Sequence, residues 1–357
     1  MNERLALNVL VISLLVLGTA IIPANAAVIT VSMNGGENYT SIQEAVNNAQ
    51  NGDTILVNPG VYRENVKVNK EVLIISNSSE ELNDRTYVLG AISNDDVFFV
   101  NSSNVTISGF YISGGPSSQD WYEVGIYLEG ADNCSLINNA LIFNDVGIAL
   151  NGSQRNYINN NLAGMGYTGI ALIGSNENEL SDNWLATNDE GILMNSSVNN
   201  TIFNNTATAN GIGFFLGTSD RNIIDSNSVS RNDYGIILEN AGYNTVTNNS
   251  LHQNELGIYL NASSSNTIYQ NEFSNFLDAL DEGVNIWNSS TAGNIWSDYT
   301  GEDADGDGIG DSPFVVNEST GSTDYMPLVE ESSDNSSGDA GDNNGNETFV
   351  SNGKPEV

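Results

Sequence analysis

Between Gly125 and Gly257, glycine returns every 22 residues with no change of register. The repeated positions are Gly125, Gly147, Gly169, Gly191, Gly213, Gly235 and Gly257. Self-similarity at a fixed period of this size indicates a stacked array of equivalent units, each of which buries its apolar face against its neighbours. This repeat restricts the chain to an elongated solenoid.

Apolar side chains follow each glycine at fixed offsets of one, three and eleven residues, as Ile126, Leu128 and Leu136 do in the first repeat. Around them, short runs alternate apolar and polar residues and are rich in β-branched side chains, which is typical of strands. One 22-residue unit holds about three such strands with turns between them. The sequence therefore predicts an all-β fold, a right-handed parallel β-helix whose rungs stack at about 4.8 Å.

Asparagine occupies a further repeated position, fourteen residues after each glycine. The column reads Asn139, Asn161, Asn183, Asn205, Asn227, Asn249 and Asn271. A second column, nine residues after the glycine, holds Asn in every rung except the first, where Cys134 stands. An inward amide both donates and accepts hydrogen bonds, so identical Asn residues are expected to bond along the stack. Asn also tolerates the left-handed backbone of a sharp turn, and we expect that conformation here.

The chain divides into five predicted segments. They are a signal peptide (1–26), an N-terminal cap with irregular rungs (27–123), regular rungs (124–278), a C-terminal cap (279–329) and a disordered acidic tail (330–357). The signal has a charged start, a short apolar run and a small-residue cleavage site after Ala26. A capping helix is predicted over 39–49, with Thr40 and Gln43 or Ser41 and Glu44 as its capping box. No later run is apolar enough to span a membrane.

The composition fits an exported protein. Asp and Glu number 45 against 9 Lys and Arg, for a net charge of −36. Such a surface excludes ordinary nucleic-acid binding, which needs basic side chains, and favours divalent cations or cationic partners. The single cysteine, Cys134, cannot form an internal disulfide, and its place in an Asn column predicts a buried side chain. Sequons such as Asn38, Asn195 and Asn261 are glycan candidates in an exported chain, although a sequence rich in Asn, Ser and Thr also produces them by chance.

A metal loop is predicted in the C-terminal cap. Asp303, Asp305 and Asp307 alternate along a Gly-containing stretch, as at positions 1, 3 and 5 of an EF-hand calcium loop. Ile309 would offer its backbone carbonyl at position 7, and Asp311 stands at position 9. Phe314 stands at position 12, so the bidentate Glu is missing or comes from elsewhere. The pattern favours Ca²⁺, and the alternative is a solvated acidic turn.

Two further sets of residues are functional candidates, the first for contact with carbohydrate and the second for catalysis. Trp121 and Tyr122 lie on an insertion before the regular rungs, where they would stack on a sugar ring or pack back on the rung beneath; Tyr127 and Tyr259 lie on the predicted flat faces. The second set is a column twenty residues after each glycine that is mostly acidic: Asp145, Tyr167, Asp189, Gly211, Asp233 and Glu255. Glycosidases use paired carboxylates, but Asn-Asp-x-Gly is also ordinary turn chemistry.

Both ends of the chain resemble known β-helix families. The opening Ser41-Ile42-Gln43, Gly52-Asp53-Thr54-Ile55, Val57, Gly60, Tyr62 and Glu64 is similar to the start of pectate-lyase-like β-helix proteins. The ending, with Asn294-Ile295-Trp296, the Asp303–Asp311 loop and Asp324-Tyr325-Met326-Pro327-Leu328, resembles NosD-type proteins of archaeal cell surfaces. That resemblance implies the fold, an extracellular location and the handling of copper. The residues do not support copper, which needs imidazole, thiolate or thioether ligands; the chain has one His, one Cys and no Met cluster.

These observations favour a secreted or cell-surface module without enzymatic activity, structural or carbohydrate-associated and stabilised by calcium. Its expected partners are polysaccharide or surface-layer components, and the protein is expected to be a monomer. The first alternative is a polysaccharide lyase, hydrolase or epimerase, which a cleft holding two or three carboxylates and a cation would favour. The second alternative, an accessory protein for maturation of a copper enzyme, depends on the family resemblance alone.

Overall fold

The computed structural model describes residues 26–79, 84–92, 95–114 and 123–329. The fold predicted from the repeat is confirmed: three long sheets of parallel strands wind into a right-handed β-helix. Adjacent rungs pair residues that are 22 apart, such as Ile126 with Ile148. The predicted tail, and the predicted signal peptide up to residue 25, lie outside the described residues.

Each complete rung contributes one strand to each sheet, whereas the first turn contributes only β1 (Val28–Val31). Sheet 1 contains β1 (Val28–Val31), β2 (Thr54–Val57), β5 (Leu73–Ser76), β8 (Thr106–Ser108), β11 (Ser135–Ile137), β14 (Tyr157–Asn159), β17 (Glu179–Ser181), β20 (Thr201–Phe203), β23 (Ile223–Asp225), β26 (Thr245–Thr247) and β29 (Thr267–Tyr269). Sheet 2 contains β4 (Val66–Val68), β7 (Phe98–Val100), β10 (Val124–Glu129), β13 (Val146–Asn151), β16 (Thr168–Ile173), β19 (Glu190–Asn195), β22 (Ile212–Gly217), β25 (Tyr234–Glu239), β28 (Leu256–Asn261) and β31 (Leu277–Asp281). Sheet 3 contains β3 (Gly60–Arg63), β6 (Thr86–Leu89), β9 (Tyr111–Ser113), β12 (Ala140–Ile142), β15 (Leu162–Gly164), β18 (Trp184–Ala186), β21 (Thr206–Thr208), β24 (Ser228–Ser230), β27 (Ser250–His252), β30 (Glu272–Ser274) and β32 (Ile295–Trp296). An antiparallel hairpin of β33 (Phe314–Asn317) and β34 (Ser322–Asp324) follows the coil.

The repeated apolar columns form the core inside the coil. Ile126, Leu128 and Leu136 are fully buried, and so are their equivalents in the following rungs. The glycine column has a separate reason, because each rung passes very close to the next at this point. A Cβ on Gly169 would lie 2.6 Å from the carbonyl oxygen of Gly191. Only glycine avoids that collision between backbones, so the strictest column in the sequence marks a close approach.

The predicted Asn ladder is present, and each amide links three rungs. Asn161 accepts hydrogen bonds at Oδ1 from the backbone N–H and the side-chain amide of Asn139, at 3.0 and 3.1 Å. It donates to Asn183 Oδ1 at 3.1 Å and to the carbonyl of Leu136 at 2.9 Å. The expected left-handed backbone is wrong for the ladder Asn itself: the preceding residue adopts it, as at Asn160 with φ 52°. The turn is made one residue earlier, and this directs the next side chain inward.

The structure contains two further hydrogen-bonded ladders that were not predicted from the sequence. A third Asn column lies nineteen residues after the repeated glycines and comprises Asn144, Asn188, Asn210, Asn232 and Asn254, all buried. A serine column comprises Ser153, Ser175, Ser197, Ser219 and Ser263, each fully buried. In this column Ser175 Oγ accepts the backbone N–H of Ser153 at 3.1 Å. Both columns repeat every 22 residues, as the glycines do, so both can be recognised in the sequence alone.

The three Asn ladders end at carboxylates at the C-terminal end of the coil, namely Asp278 and Asp281 on β31 and Asp324 on β34. Their last members, Asn275, Asn285 and Asn294, donate respectively to Asp278 Oδ1 at 2.7 Å, Asp281 Oδ1 at 2.8 Å and Asp324 Oδ2 at 2.8 Å. Each ladder Asn donates its backbone N–H and one side-chain N–H to the Asn one rung nearer this end of the coil, as Asn161 does to Asn183, so the last donors need a strong acceptor. Burial raises the pKa of Asp324 above its ordinary value, although these hydrogen bonds oppose the shift.

Aromatic side chains close the C-terminal end of the core. Trp287 and Trp296 are buried, and their indole N–H groups donate to Asp281 and Asp324, each at 2.9 Å. Trp296 is stacked between Phe273 and Phe314, with ring centroids 4.6 and 4.4 Å away. The cap therefore satisfies the polar ladders and covers the apolar core at the same place.

A helix covers the other end. It spans Ile42–Asn48, shorter than the predicted 39–49, and we call it α1. Ser41 is its N-cap and accepts the N–H of Glu44 at 3.3 Å, which settles the capping residue. Glu64, from the strand region below, also accepts the N–H groups of Ile42 and Gln43 at 3.0 and 2.9 Å. Among the residues described, no helix has both the length and the hydropathy needed to cross a membrane.

Cys134 is a buried free thiol, as its column predicted. Its Sγ donates to the carbonyls of Ser102 and Asp132, at 3.6 Å each, and burial raises its pKa to about 11. The backbone N–H of Cys134 bonds Asn156 Oδ1 at 2.8 Å, as in every other rung of this ladder. The thiol thus stands where the ladder amide stands elsewhere.

We expect Cys134→Asn to stabilise the protein by about 1 kcal/mol, because the new amide adds hydrogen bonds to groups already in position. Urea unfolding of the wild type, Cys134→Asn and Cys134→Ala measures the change. The Ala variant is the control for loss of the thiol and should be destabilised. A Cys134→Asn variant no more stable than Cys134→Ala contradicts the prediction. In the native wild type, the thiol should also remain unreactive to a soluble thiol reagent.

Candidate metal centre and outer faces

The structure brings three of the predicted metal ligands together. Carboxylate oxygens of Asp303, Asp305 and Asp307 lie within 4.8 Å of one another. Asp303 Oδ1 and Oδ2 accept the N–H groups of Gly306 and Gly308 at 2.8 and 3.0 Å, which closes the loop around the first Asp. Both glycines have positive φ, 75° and 85°, so the loop needs residues without a Cβ there. Three hard oxygen ligands on such a loop suit Ca²⁺.

The remaining predicted ligands stand farther along the loop. Asp311 Oδ2 accepts the N–H of Ala304 at 3.0 Å and does not belong to the group of three carboxylates. Ile309 forms an antiparallel bridge with Leu328, which ties the loop to the end of the cap. Phe314, at the twelfth position, stacks on Trp296. The bidentate ligand of an EF-hand is therefore replaced here by a core aromatic residue.

The predicted carbohydrate contacts are dispersed. Trp121 and Tyr122 lie outside the described residues. Tyr127 and Tyr259 share one outward column of sheet 2, but they are six rungs apart, or about 29 Å. Tyr127 accepts a hydrogen bond from Asn151 at 3.0 Å, and Tyr259 donates one to Glu282 at 3.0 Å. The two tyrosines thus cannot hold the same sugar ring.

The acidic column follows one edge of the coil. Asp145 and Asp189 stand two rungs apart, about 10 Å, with Tyr167 between them. Asp233 and Glu255 occupy adjacent rungs, and both are exposed. The nearest cation in sequence, Arg231, donates to Gln253 at 3.1 Å. Within the described part of the chain, only the Asp303 group gathers three potential metal-ligating acids, and it lies in the cap.

The candidate copper ligands do not form a site. His252 is on the outer face of sheet 3, and Cys134 is buried five rungs away, about 24 Å along the coil. Met194 is fully buried in the core. Copper sites need several imidazole, thiolate or thioether ligands at one point, and these residues do not fit that requirement.

Stacked parallel sheets, inner ladders and capped ends define the class of this protein as a right-handed parallel β-helix. Solved β-helices share this fold at low identity. The polygalacturonase from Erwinia carotovora ssp. carotovora has a TM-score of 0.58 at 11% identity, over 76% of this chain and 99% of that one. The A-module of the Azotobacter vinelandii mannuronan C-5 epimerase AlgE6 has a TM-score of 0.55 at 17% identity, over 65% and 70%. The Dettilon tailspike protein has a TM-score of 0.57 at 16% identity, over 68% and 56%.

The family follows from the sequence match. The model described as periplasmic copper-binding protein (NosD) matches residues 46–163 and 90–301, which together span more than two thirds of the chain. The protein belongs to the NosD family. It is also similar to a cell surface glycoprotein of Methanothermus fervidus, at 33% identity over 113 residues. That match covers 31% of this chain and 17% of the glycoprotein.

Proposed function

We propose that this protein is a rigid, non-enzymatic module of the extracellular cell surface that associates with polysaccharide or surface-layer components. The location is supported by the similarity to a cell surface glycoprotein and by a family described as periplasmic. The observation that carries the non-enzymatic role is the arrangement of acids. The acidic column of the regular rungs, Asp145, Asp189, Asp233 and Glu255, follows one edge of the coil, and the one group of three metal-ligating acids among the described residues lies in the cap.

In this proposal, calcium at the Asp303–Asp311 loop stabilises the C-terminal cap. The loop begins seven residues after Trp296, and Phe314 stands three residues after its last Asp. Ordering the loop therefore fixes the aromatic residue that covers the core. Asp303, Asp305 and Asp307 supply the hard oxygens, and water completes the shell in the absence of a bidentate Glu.

The test is thermal unfolding of the full chain in calcium and in EDTA. A ligand that binds only the folded state at one hundred times its Kd stabilises by about 2.7 kcal/mol, which raises the Tm by several degrees. We expect that shift in the wild type and its loss in the double variant Asp305→Asn/Asp307→Asn. The control Asp189→Asn/Asp233→Asn removes the same charge from the coil edge and should keep the shift. An unchanged shift in the loop variant would place calcium elsewhere, and no shift in the wild type would make the loop an acidic turn.

A polysaccharide lyase, hydrolase or epimerase is the second candidate, favoured by Asp233 and Glu255 on adjacent rungs. Adjacent rungs lie about 4.8 Å apart, which is close to the roughly 5–5.5 Å between the two carboxyl groups of a retaining glycosidase. Incubation with neutral and uronate polysaccharides, followed by assays for new reducing ends, unsaturated products and epimerised residues, tests this function. Activity that disappears in Asp233→Asn/Glu255→Gln would replace the non-enzymatic proposal.

A further inference from the structure

The outer face of sheet 3 is uncharged along six consecutive strands, β12 to β27. We call this surface the neutral face. Its outward side chains form two columns: Ala140, Leu162, Trp184, Thr206, Ser228 and Ser250, and beside them Ile142, Gly164, Ala186, Thr208, Ser230 and His252. With five rung spacings, it extends about 24 Å along the coil.

The absence of charge is specific to this face. In the same rungs, sheet 1 turns Glu179 and Asp225 outward, and sheet 2 turns Glu190 and Glu239 outward. In a chain of net charge −36, most of the surface repels anions. An uncharged partner that binds the neutral face therefore displaces water from no charged side chain of that face, whereas on the outer faces of sheets 1 and 2 it would cover carboxylates.

The two halves of the neutral face differ in chemistry. On the first three strands and the adjoining turn, Leu162, Trp184, Phe143 and Met165 are 39%, 41%, 62% and 51% exposed. The last three strands present hydroxyl groups. Those of Thr206 and Ser228 form no hydrogen bond within the described residues, whereas Ser230 donates to Thr208 at 3.2 Å. An apolar, aromatic surface thus continues into a row of hydroxyls in the same columns.

We propose that the neutral face binds an uncharged polysaccharide chain lying along the coil. This inference depends on the carbohydrate association proposed above and names its site and ligand class. A sugar ring presents C–H groups on its faces and hydroxyls at its rim, so one chain can stack on Trp184 and bond the hydroxyls of the following strands. The face is part of a rigid sheet, so little entropy is lost in ordering it.

A protein partner fits the neutral face less well. The buried centres of protein interfaces are enriched in aromatic residues but depleted in Ser. Here three of the twelve outward positions hold serine, namely Ser228, Ser230 and Ser250, next to Thr206 and Thr208. In a two-fold dimer of this chain, the hydroxyl half of one copy would also cover the apolar half of the other.

Affinity electrophoresis of the full chain tests the proposal, in gels containing hydroxyethyl cellulose, galactomannan, xylan or dextran, with polygalacturonate as the anionic comparison. We expect retardation by at least one neutral polymer and none by polygalacturonate. Trp184→Ala should weaken that binding about tenfold, the loss of one aromatic contact. Thr206→Glu places a charge on the face and should also weaken it. Phe203→Ala is the matched control, because Phe203 is equally exposed, at 41%, but lies on sheet 1.

The outcomes separate this inference from the proposed function. Binding that survives both Trp184→Ala and Thr206→Glu keeps the carbohydrate association and overturns the neutral face as its site. Absence of retardation by every polymer overturns both the neutral face as a binding site and the association with polysaccharide, and leaves surface-layer components as the partner in the proposed function. A dimer in analytical ultracentrifugation that dissociates in Trp184→Ala would make the face an interface between copies. Circular dichroism of each variant checks the fold, and since Trp184 and Thr206 are not core residues, the fold should be unchanged.

Discussion

Gly213→Ala is expected to destabilise the protein by about 3 kcal/mol or more, a large effect for the addition of one methyl group. The new Cβ would lie 2.5 Å from the carbonyl oxygen of Gly235 and 2.6 Å from Cγ1 of Val229. One neighbour is backbone of the next rung and the other is a fully buried core side chain. Neither can move without disturbing the stack, so the rungs must separate locally. Denaturant unfolding followed by circular dichroism measures the loss.

The matched control is Gly174→Asn. Gly174 has a φ of 54° and nothing within 4 Å of a Cβ built on it. The equivalent positions in later rungs hold Ser196, Thr218, Asn240 and Ala262, all with left-handed backbone. This substitution should therefore change stability by less than about 1 kcal/mol. Equal losses in Gly213→Ala and Gly174→Asn would refute the close-approach explanation of the glycine column.

Asn205→Ala should destabilise by about 3–5 kcal/mol, because it leaves several buried polar groups without partners. Asn205 Oδ1 accepts the backbone N–H and the side-chain amide of Asn183, both at 2.9 Å. Its own amide donates to the carbonyl of Leu180 at 2.8 Å. Water cannot replace these bonds inside the coil without entering the core. Urea unfolding measures the change, and hydrogen exchange should show reduced protection of the Asn183 amide.

The control Asn204→Ser changes the exposed neighbour, whose backbone has the left-handed conformation that Ser226 adopts one rung later. Its effect should be within about 0.5 kcal/mol, as for most surface changes.

The variant Asn205→Asp tests whether the loss of stability depends on pH in the expected direction. The carboxylate keeps the acceptor but loses the donors, and burial favours its neutral form. Its destabilisation should therefore be greatest at neutral pH and decrease on acidification; a loss that is independent of pH would contradict this account.

Most of the coil could be predicted from the sequence, because the interactions between rungs join residues at a constant separation along the chain. Ile126 pairs with Ile148, and Asn139 forms a hydrogen bond with Asn161, and each pair is 22 residues apart. Contacts between neighbouring rungs therefore produce a 22-residue period in the sequence. The members of the third Asn ladder and of the serine ladder are also 22 residues apart, so both ladders could have been predicted from the sequence. The clustering of the Asp303, Asp305 and Asp307 carboxylates was likewise predictable from alternating Asp residues, because the contacts within this loop are local.

The sequence alone thus determined the strands, the rung length and the columns of the core, because each depends on local alternation or on the 22-residue period. Tertiary structure decided the ends. Asp281 accepts hydrogen bonds from Trp287 and from Ser322, which is 41 residues away. Asp324 accepts a hydrogen bond from Asn294, which is 30 residues away. No period connects those positions. The pairing of Asn294, the end of one ladder, with the buried Asp324 follows only from where the cap folds back, since the last amide donors need acceptors that the next rung no longer provides.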